Sequence, residues 1–185
     1  SDAREFSPDL RGNLETQIAN VADELAYTTH DLDDGLRSGM ILPQMLEGIA
    51  LWEILKETYS WHGPVLDEIA RHRMIRHLVG LMVTDMIQTT DSRLKESKVK
   101  SALDIQKLKH NVIGYSEEMQ RRNRELKDFL YNKLYRHYRV VRMQVKAEHI
   151  ITDMFNAYRA EPSILPDHVQ FFIEKRGLER TICDY

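Results

Sequence analysis

Apolar residues recur mainly at threes and fours along this chain, with no sustained alternation, so the pattern predicts helices and no strands. A first helix is predicted to start near Asn13, a good capping residue, with Glu15 favoured by the positive helix end. Leu14, Ile18, Val21, Ala22 and Leu25 supply its apolar side, and Gly35 and Gly39 mark its end or a break. Residues 43–59 read as a second helix, with Pro43 tolerated in the first turn and Met45, Leu46, Ile49, Leu51, Trp52 and Leu55 forming a broad apolar face. Gly63-Pro64 restarts the chain. A long helix from Pro64 to about Thr90 then turns Leu66, Ile69, Ala70, Ile75, Leu78, Val79, Met82 and Met86 mostly inward.

Residues 91–114 are polar and weakly periodic, which predicts a surface loop region with a short extended piece at Val112-Ile113. From Ser116 to Tyr158 the periodicity is that of one very long helix or two joined end to end, carried by Phe129, Leu130, Leu134, Val140, Met143, Ile150, Ile151, Met154 and Phe155. A bend near Tyr138 is expected, because a straight helix of that length would outrun a compact domain this small. Pro162 ends this segment, and Pro166 opens a final helix through about Lys175 that Gly177 closes. Residues 1–12 carry Pro8 and no periodicity and read as an arm or linker, leaving 13–185 as an all-α body.

Within the first helix, Asp23, Tyr27 and Asp31 stand four residues apart, so they lie almost above one another, and His30 falls beside the stripe. Carboxylates and imidazoles are the donors that divalent and transition metals use, and such metals also draw in phosphate oxygens. The spacing fits metal-assisted phosphate chemistry; it fits equally a solvated polar helix face. In the long third segment, His72 and His77 are five apart, which is not the i, i+4 spacing of a helical metal site. Arg71, Arg73 and Arg76 can reach a phosphate or solvate the outer face of that helix.

Composition narrows the classes. The chain has 185 residues, 42% hydrophobic and 30% charged, with only 5 Pro and 8 Gly, which suits one helix-rich globular domain. One cysteine, Cys183, excludes an internal disulfide; packing in the core is its expected role. No apolar run is long enough to span a bilayer and no signal segment opens the chain, so a cytoplasmic location is expected. A net charge of -3 gives no reason for nonspecific attraction to polyanions, but residues 121–146 hold nine Lys or Arg against Glu125 and Asp128, a local balance of +7.

The stripe continues in both directions, as Leu14-Glu15-Thr16-Gln17-Ile18-Ala19-Asn20 before it and Asp31-Leu32-Asp33-Asp34-Gly35-Leu36-Arg37-Ser38-Gly39 after it. With Asp128-Phe129-Leu130-Tyr131, Leu134-Tyr135-Arg136-His137-Tyr138-Arg139-Val140 and the closing Arg180-Thr181-Ile182-Cys183-Asp184-Tyr185, the chain closely resembles the carboxyl-terminal half of the HD-domain deoxynucleoside triphosphate triphosphohydrolases, the bacterial dGTPase-like proteins. The resemblance implies hydrolysis of a deoxynucleoside triphosphate to deoxynucleoside and inorganic triphosphate, an HD-domain-like helical bundle, and a homo-oligomer. It also implies a divalent metal (magnesium, manganese, iron, cobalt or nickel) held by a first His, a His-Asp dipeptide and a final Asp in that order.

Asp23 looks like the final Asp. His30-Asp31 is not the dipeptide, because no His occurs in residues 1–29 and Asp23 precedes it. The resemblance instead turns Tyr27 and Asp31 toward the sugar and triphosphate, and leaves His30 as a local acid-base candidate. Some relatives carry Lys immediately after the metal Asp, where this chain has Glu24. The resemblance further implies an upstream half bearing the remaining ligands, without which the chain is expected to be inactive.

Arg136, Arg139 and Arg142 are three apart, with Tyr135, His137 and Tyr138 interleaved, a pattern that can fork onto phosphates and stack on bases. In the resembled family, nucleotides regulate assembly, and some members bind single-stranded nucleic acid. Either could use these arginines, and so could pairing with the acids of 31–34. The rival from another class is a non-catalytic helical module that assembles subunits or binds nucleotides or nucleic acid.

Overall fold

A computed structural model describes residues 10–63 and 65–185, which form two compact units, one ending at Tyr135 and the other running from Arg136 to Tyr185. Residues 1–9 of the expected arm, with Pro8, and the expected helix start at Pro64 lie outside the described residues. All regular elements among the described residues are helical.

The first unit opens with α1, Leu14–Arg37, capped as expected by Asn13, whose side chain accepts from the Thr16 N–H at 3.0 Å. The helix continues through Gly35, where there is no room for a side chain: a Cβ would stand 2.5 Å from the Ile41 Cδ1 atom. The second segment departs from the expected single helix over 43–59. Pro43–Leu46 is a 3₁₀ turn and α2 runs from Ala50 to Tyr59. Gly48 between them has φ +86, a left-handed conformation that glycine adopts without strain and that no helix continues.

The next helix, α3, spans Glu68–Ser97 rather than 64–90, because Asp67 caps it by accepting from the Ala70 N–H at 2.8 Å. Its Met74, Leu78 and Met82 are buried, whereas Ile69, expected inward, is exposed, as is Ile18 on α1. Arg71 neither faces solvent nor stands open to a phosphate. It is buried and bonds Asp33, tying α3 to α1.

The expected loop over 91–114 holds the end of α3 and a short helix, α4, at Ala102–Gln106. Val112 and Ile113 are buried without forming a strand. Their N–H groups go instead to the Gln17 side-chain oxygen, at 2.9 and 3.3 Å, while the Gln17 amide donates to the Gly12 carbonyl at 2.8 Å. Gln17 is 2% exposed and satisfies a loop backbone that has no ladder partner. Last in this unit come α5, Glu117–Leu130, and a π-helical turn, Tyr131–Tyr135. The core gathers Leu25, Leu32, Ile41, Leu46, Leu51, Trp52, Leu55, Met74, Leu78, Met82, Leu126 and Leu130.

The second unit is built on α6, Tyr138–Ala160, so the long periodic segment is two helices broken close to the expected bend at Tyr138. A 3₁₀ turn at Pro162–Ile164 follows, then α7 (Asp167–Gln170), α8 (Ile173–Arg176) and α9 (Leu178–Asp184). The expected final helix over 166–175 is thus two short turns; Gly177, with φ +83, closes the second as expected, and a further helix starts directly after it. Leu165, Val169 and Ile182 form the small core with Phe155, Tyr158, Ile173 and Leu178 against them. Cys183 is exposed, not packed: on α9 the inward positions belong to Thr181 and Ile182.

Candidate functional site on the first helix

The inner face of α1 carries Leu25, Thr28, Thr29 and Leu32. Both threonine hydroxyls are satisfied within the helix, Thr28 donating to the Glu24 carbonyl at 3.0 Å and Thr29 to the Leu25 carbonyl at 2.9 Å. Burying that face leaves Asp23, Tyr27 and His30 exposed, and Asp31 half-buried at the border. Tyr27 is 65% exposed.

Facing this side of α1 stands α5 with its π turn, located by three polar ties. Ser116, which caps α5 by accepting from the Met119 N–H, donates its own N–H and hydroxyl to Asp85 of α3 at 2.8 and 2.6 Å. Glu125 accepts from the Ala50 N–H at the start of α2, at 2.9 Å. Lys127 pairs with Glu24 at 2.7 Å. Glu24 therefore does not stand alone as an acid beside Asp23; α5 sets a cation against it.

These ties enclose a hollow of about 450 Å³ between α1 and the π turn, lined by Tyr27, Tyr131 and Tyr135 with Glu24, Lys127 and Asp128 at its polar edge. Tyr131 and Tyr135 meet edge to face at 6.4 Å. The Tyr135 hydroxyl donates to the Asp31 carboxylate. Burial, and then the Asp31 carboxylate itself, push the Tyr135 phenol up to about 12. A larger cleft of about 1300 Å³ shares Glu24, Lys127 and Asp128 and runs on past Arg93, Asn123 and Tyr115.

Tyr27 thus lines the hollow and Asp31 is tied to it through the Tyr135 hydroxyl, while Asp31 itself, Asp23 and His30 are not among its lining residues. Among the described residues no three His, Cys, Asp or Glu side chains gather closely enough to hold a metal ion. A stable centre needs several donors in fixed geometry, so the residues present do not by themselves form one around Asp23. The residues sequence reasoning left out of the site are Lys127, Tyr131 and Tyr135. Their signal was the spacing of Leu130 and Leu134, both buried, which turns Tyr131 and Tyr135, one position later and again four apart, onto a shared neighbouring face.

In the second unit, Arg139 and Arg142 lie over the Tyr138 ring, 5.9 and 5.4 Å from its centre, and Arg136 precedes them as an exposed residue. In the first unit, Asp31 accepts from the Tyr135 hydroxyl and Asp33 from Arg71.

Comparison with known proteins decides what this arrangement is related to. A phosphohydrolase-associated domain matches residues 113–185. A deoxyguanosinetriphosphate triphosphohydrolase-like protein of Geobacter sulfurreducens is 40% identical over 97% of this chain. The chain is similar over nearly its whole length to dGTPase-like proteins. Others of the same description follow, at 38% identity over 97% of the chain in Geobacter metallireducens and 38% over 94% in Deinococcus deserti. The chain spans about half the length of these relatives, 47% of each Geobacter protein and 46% of the Deinococcus one. The dGTPase-like resemblance of the sequence is borne out, as is the all-α fold. No described helix is long and apolar enough to cross a membrane.

Proposed function

We propose that the chain is the carboxyl-terminal, helical part of a metal-dependent deoxynucleoside triphosphate triphosphohydrolase, which releases deoxynucleoside and inorganic triphosphate. The observation that carries this reading is the Asp23, Tyr27, Asp31 stripe on α1, with Tyr27 and the Asp31-bonded Tyr135 walling one hollow, in a chain similar over nearly its whole length to triphosphohydrolase-like proteins.

In this reading Asp23 gives one carboxylate to a divalent metal whose other ligands lie outside the described residues. Magnesium, manganese, iron, cobalt and nickel all accept mixed His and carboxylate donors. An ionised carboxylate only accepts hydrogen bonds and repels phosphate. Asp31 therefore meets a hydroxyl of the sugar, and the exposed Tyr27 ring covers the same part of the substrate. Lys127, at the rim, faces the negative end. His30 is an exposed imidazole within the same turn of helix and is the local acid-base candidate. Arg136, Arg139 and Arg142 are the contact for a regulatory nucleotide or single-stranded nucleic acid.

The test compares the full-length protein with this chain alone, each given every deoxynucleoside triphosphate with magnesium or manganese, and measures inorganic triphosphate. Release by the full-length protein only, abolished by Asp23→Ala with helical content unchanged, is the expected result. No release by either, across metals and nucleotide mixtures, would overturn the reading. Loss of nucleic-acid binding on neutralising the three arginines would then identify a binding module.

A further inference from the structure

Asp31 is set by its neighbours rather than by its own helix. It lies on the exposed flank of α1, where a short carboxylate has several rotamers open to water. The Tyr135 hydroxyl reaches it across 104 residues of chain from the π turn and occupies its Oδ2 atom. Tyr135 is itself held: its ring stands edge to face against Tyr131, and the buried Leu134 anchors the turn in the core. The turn in turn rests on α5, which Asp85, Glu24 and the Ala50 N–H fix by polar bonds. This is a chain of support ending in one hydrogen bond to one carboxylate oxygen.

From this geometry we infer that Tyr135 is a positioning residue for Asp31: its hydroxyl holds the carboxylate in one rotamer and directs Oδ1 toward the sugar hydroxyl of the nucleotide. The inference rests on the role proposed above for Asp31 and adds the group that makes that role specific. The phenol suits the task because it keeps its proton throughout the neutral range and so remains a donor to Asp31 there. The π turn suits it too. An ordinary α-helical continuation of α5 would advance Tyr135 by a different angle, whereas one wide turn re-aims a side chain without breaking the backbone pairing, as such turns do at functional sites.

The experiment uses the full-length protein and two substitutions, Tyr135→Phe and Asp31→Asn, with a deoxynucleoside triphosphate as substrate and inorganic triphosphate, which has no sugar, as competitive inhibitor. Removing a hydrogen bond to a charged group weakens what that group orders by about tenfold. Tyr135→Phe is therefore expected to raise KM about tenfold, to change kcat less, and to leave the inhibition constant for triphosphate where it was. In the Asp31→Asn background the same substitution should add little. Equal weakening of substrate and triphosphate would mark a merely structural tyrosine and overturn the inference. So would an unchanged KM beside a damaging Asp31→Asn, a result that leaves the proposed function standing. If neither substitution alters turnover, the role of Asp31 fails, and the inference with it.

Discussion

Replacing Gln17 with Met should cost the unit ending at Tyr135 about 2–4 kcal/mol. The side chain is close to Gln in size and keeps helix propensity, so packing and α1 itself are spared. What is lost is the oxygen that accepts from the Val112 and Ile113 N–H groups and the amide that donates to Gly12. Val112 and Ile113 are 3% and 7% exposed, so neither donor can turn to water without opening the loop. Leaving a buried donor unpaired costs about 1–3 kcal/mol, and two such donors, less some local relaxation, give the range stated. Urea unfolding reads the change as a lower midpoint at constant slope. Amide exchange locates it, with protection lost first at 112 and 113. Gln88→Met, on an exposed turn of α3, serves as the control and should stay within about 0.5 kcal/mol. A Gln17→Met protein as stable as the control, with the two amides still protected, would refute the assignment of Gln17 as the partner of this loop.

Gly35→Ala should destabilise by about 1 kcal/mol, the clash with the buried Ile41 outweighing the gain in helix propensity; combined with Ile41→Val it should lose less than the two single changes together, by denaturant titration. The ion pair between Asp33 and Arg71 is unevenly buried, at 24% and 7% side-chain exposure. Asp33→Ala, which leaves the buried guanidinium only His72 and the exposed Glu68, should therefore lower the melting temperature more than Arg71→Met, which leaves a carboxylate that water reaches. Burial, with Glu24 and Asp85 nearby, pushes the Tyr115 phenol from 10.0 to about 12. The folded state then holds a proton that the unfolded chain releases, so this contribution is intact below pH 10 and is lost as pH rises to about 12; Tyr115→Phe should flatten the alkaline fall in stability over that window.

Elements whose ends are written locally were legible. Asn13 and Ser116 name their helices' starts because a capping side chain acts within three residues of itself. Pro64 misled where Asp67 was the true cap, since proline permits a helix start but does not satisfy its donors. The break at Gly48 was hidden because the apolar period runs across it unchanged. In the candidate site, the Asp23, Tyr27, Asp31 stripe could be read because helical geometry alone aligns it. Its partners could not: the spans from Glu24 to Lys127 and from Asp31 to Tyr135 are set by how helices far apart in sequence meet, and no local period encodes that. Gln17 looked like one more polar residue on an amphipathic helix, and only the buried loop above it reveals its work.

The bond from the Ala50 N–H to Glu125 has a bearing on how the chain is made. The residue preceding α2, Ile49, offers no side-chain cap, and the acceptor that completes the helix start lies 75 residues downstream. During synthesis that donor waits, facing water, until α5 has left the ribosome. Its own segment of 10 residues is too short to hold as an isolated helix in the meantime. Nascent chains halted before residue 117 should accordingly be cut by protease within 50–59, and chains released beyond residue 135 should resist, so that α2 reports on the arrival of a helix it precedes.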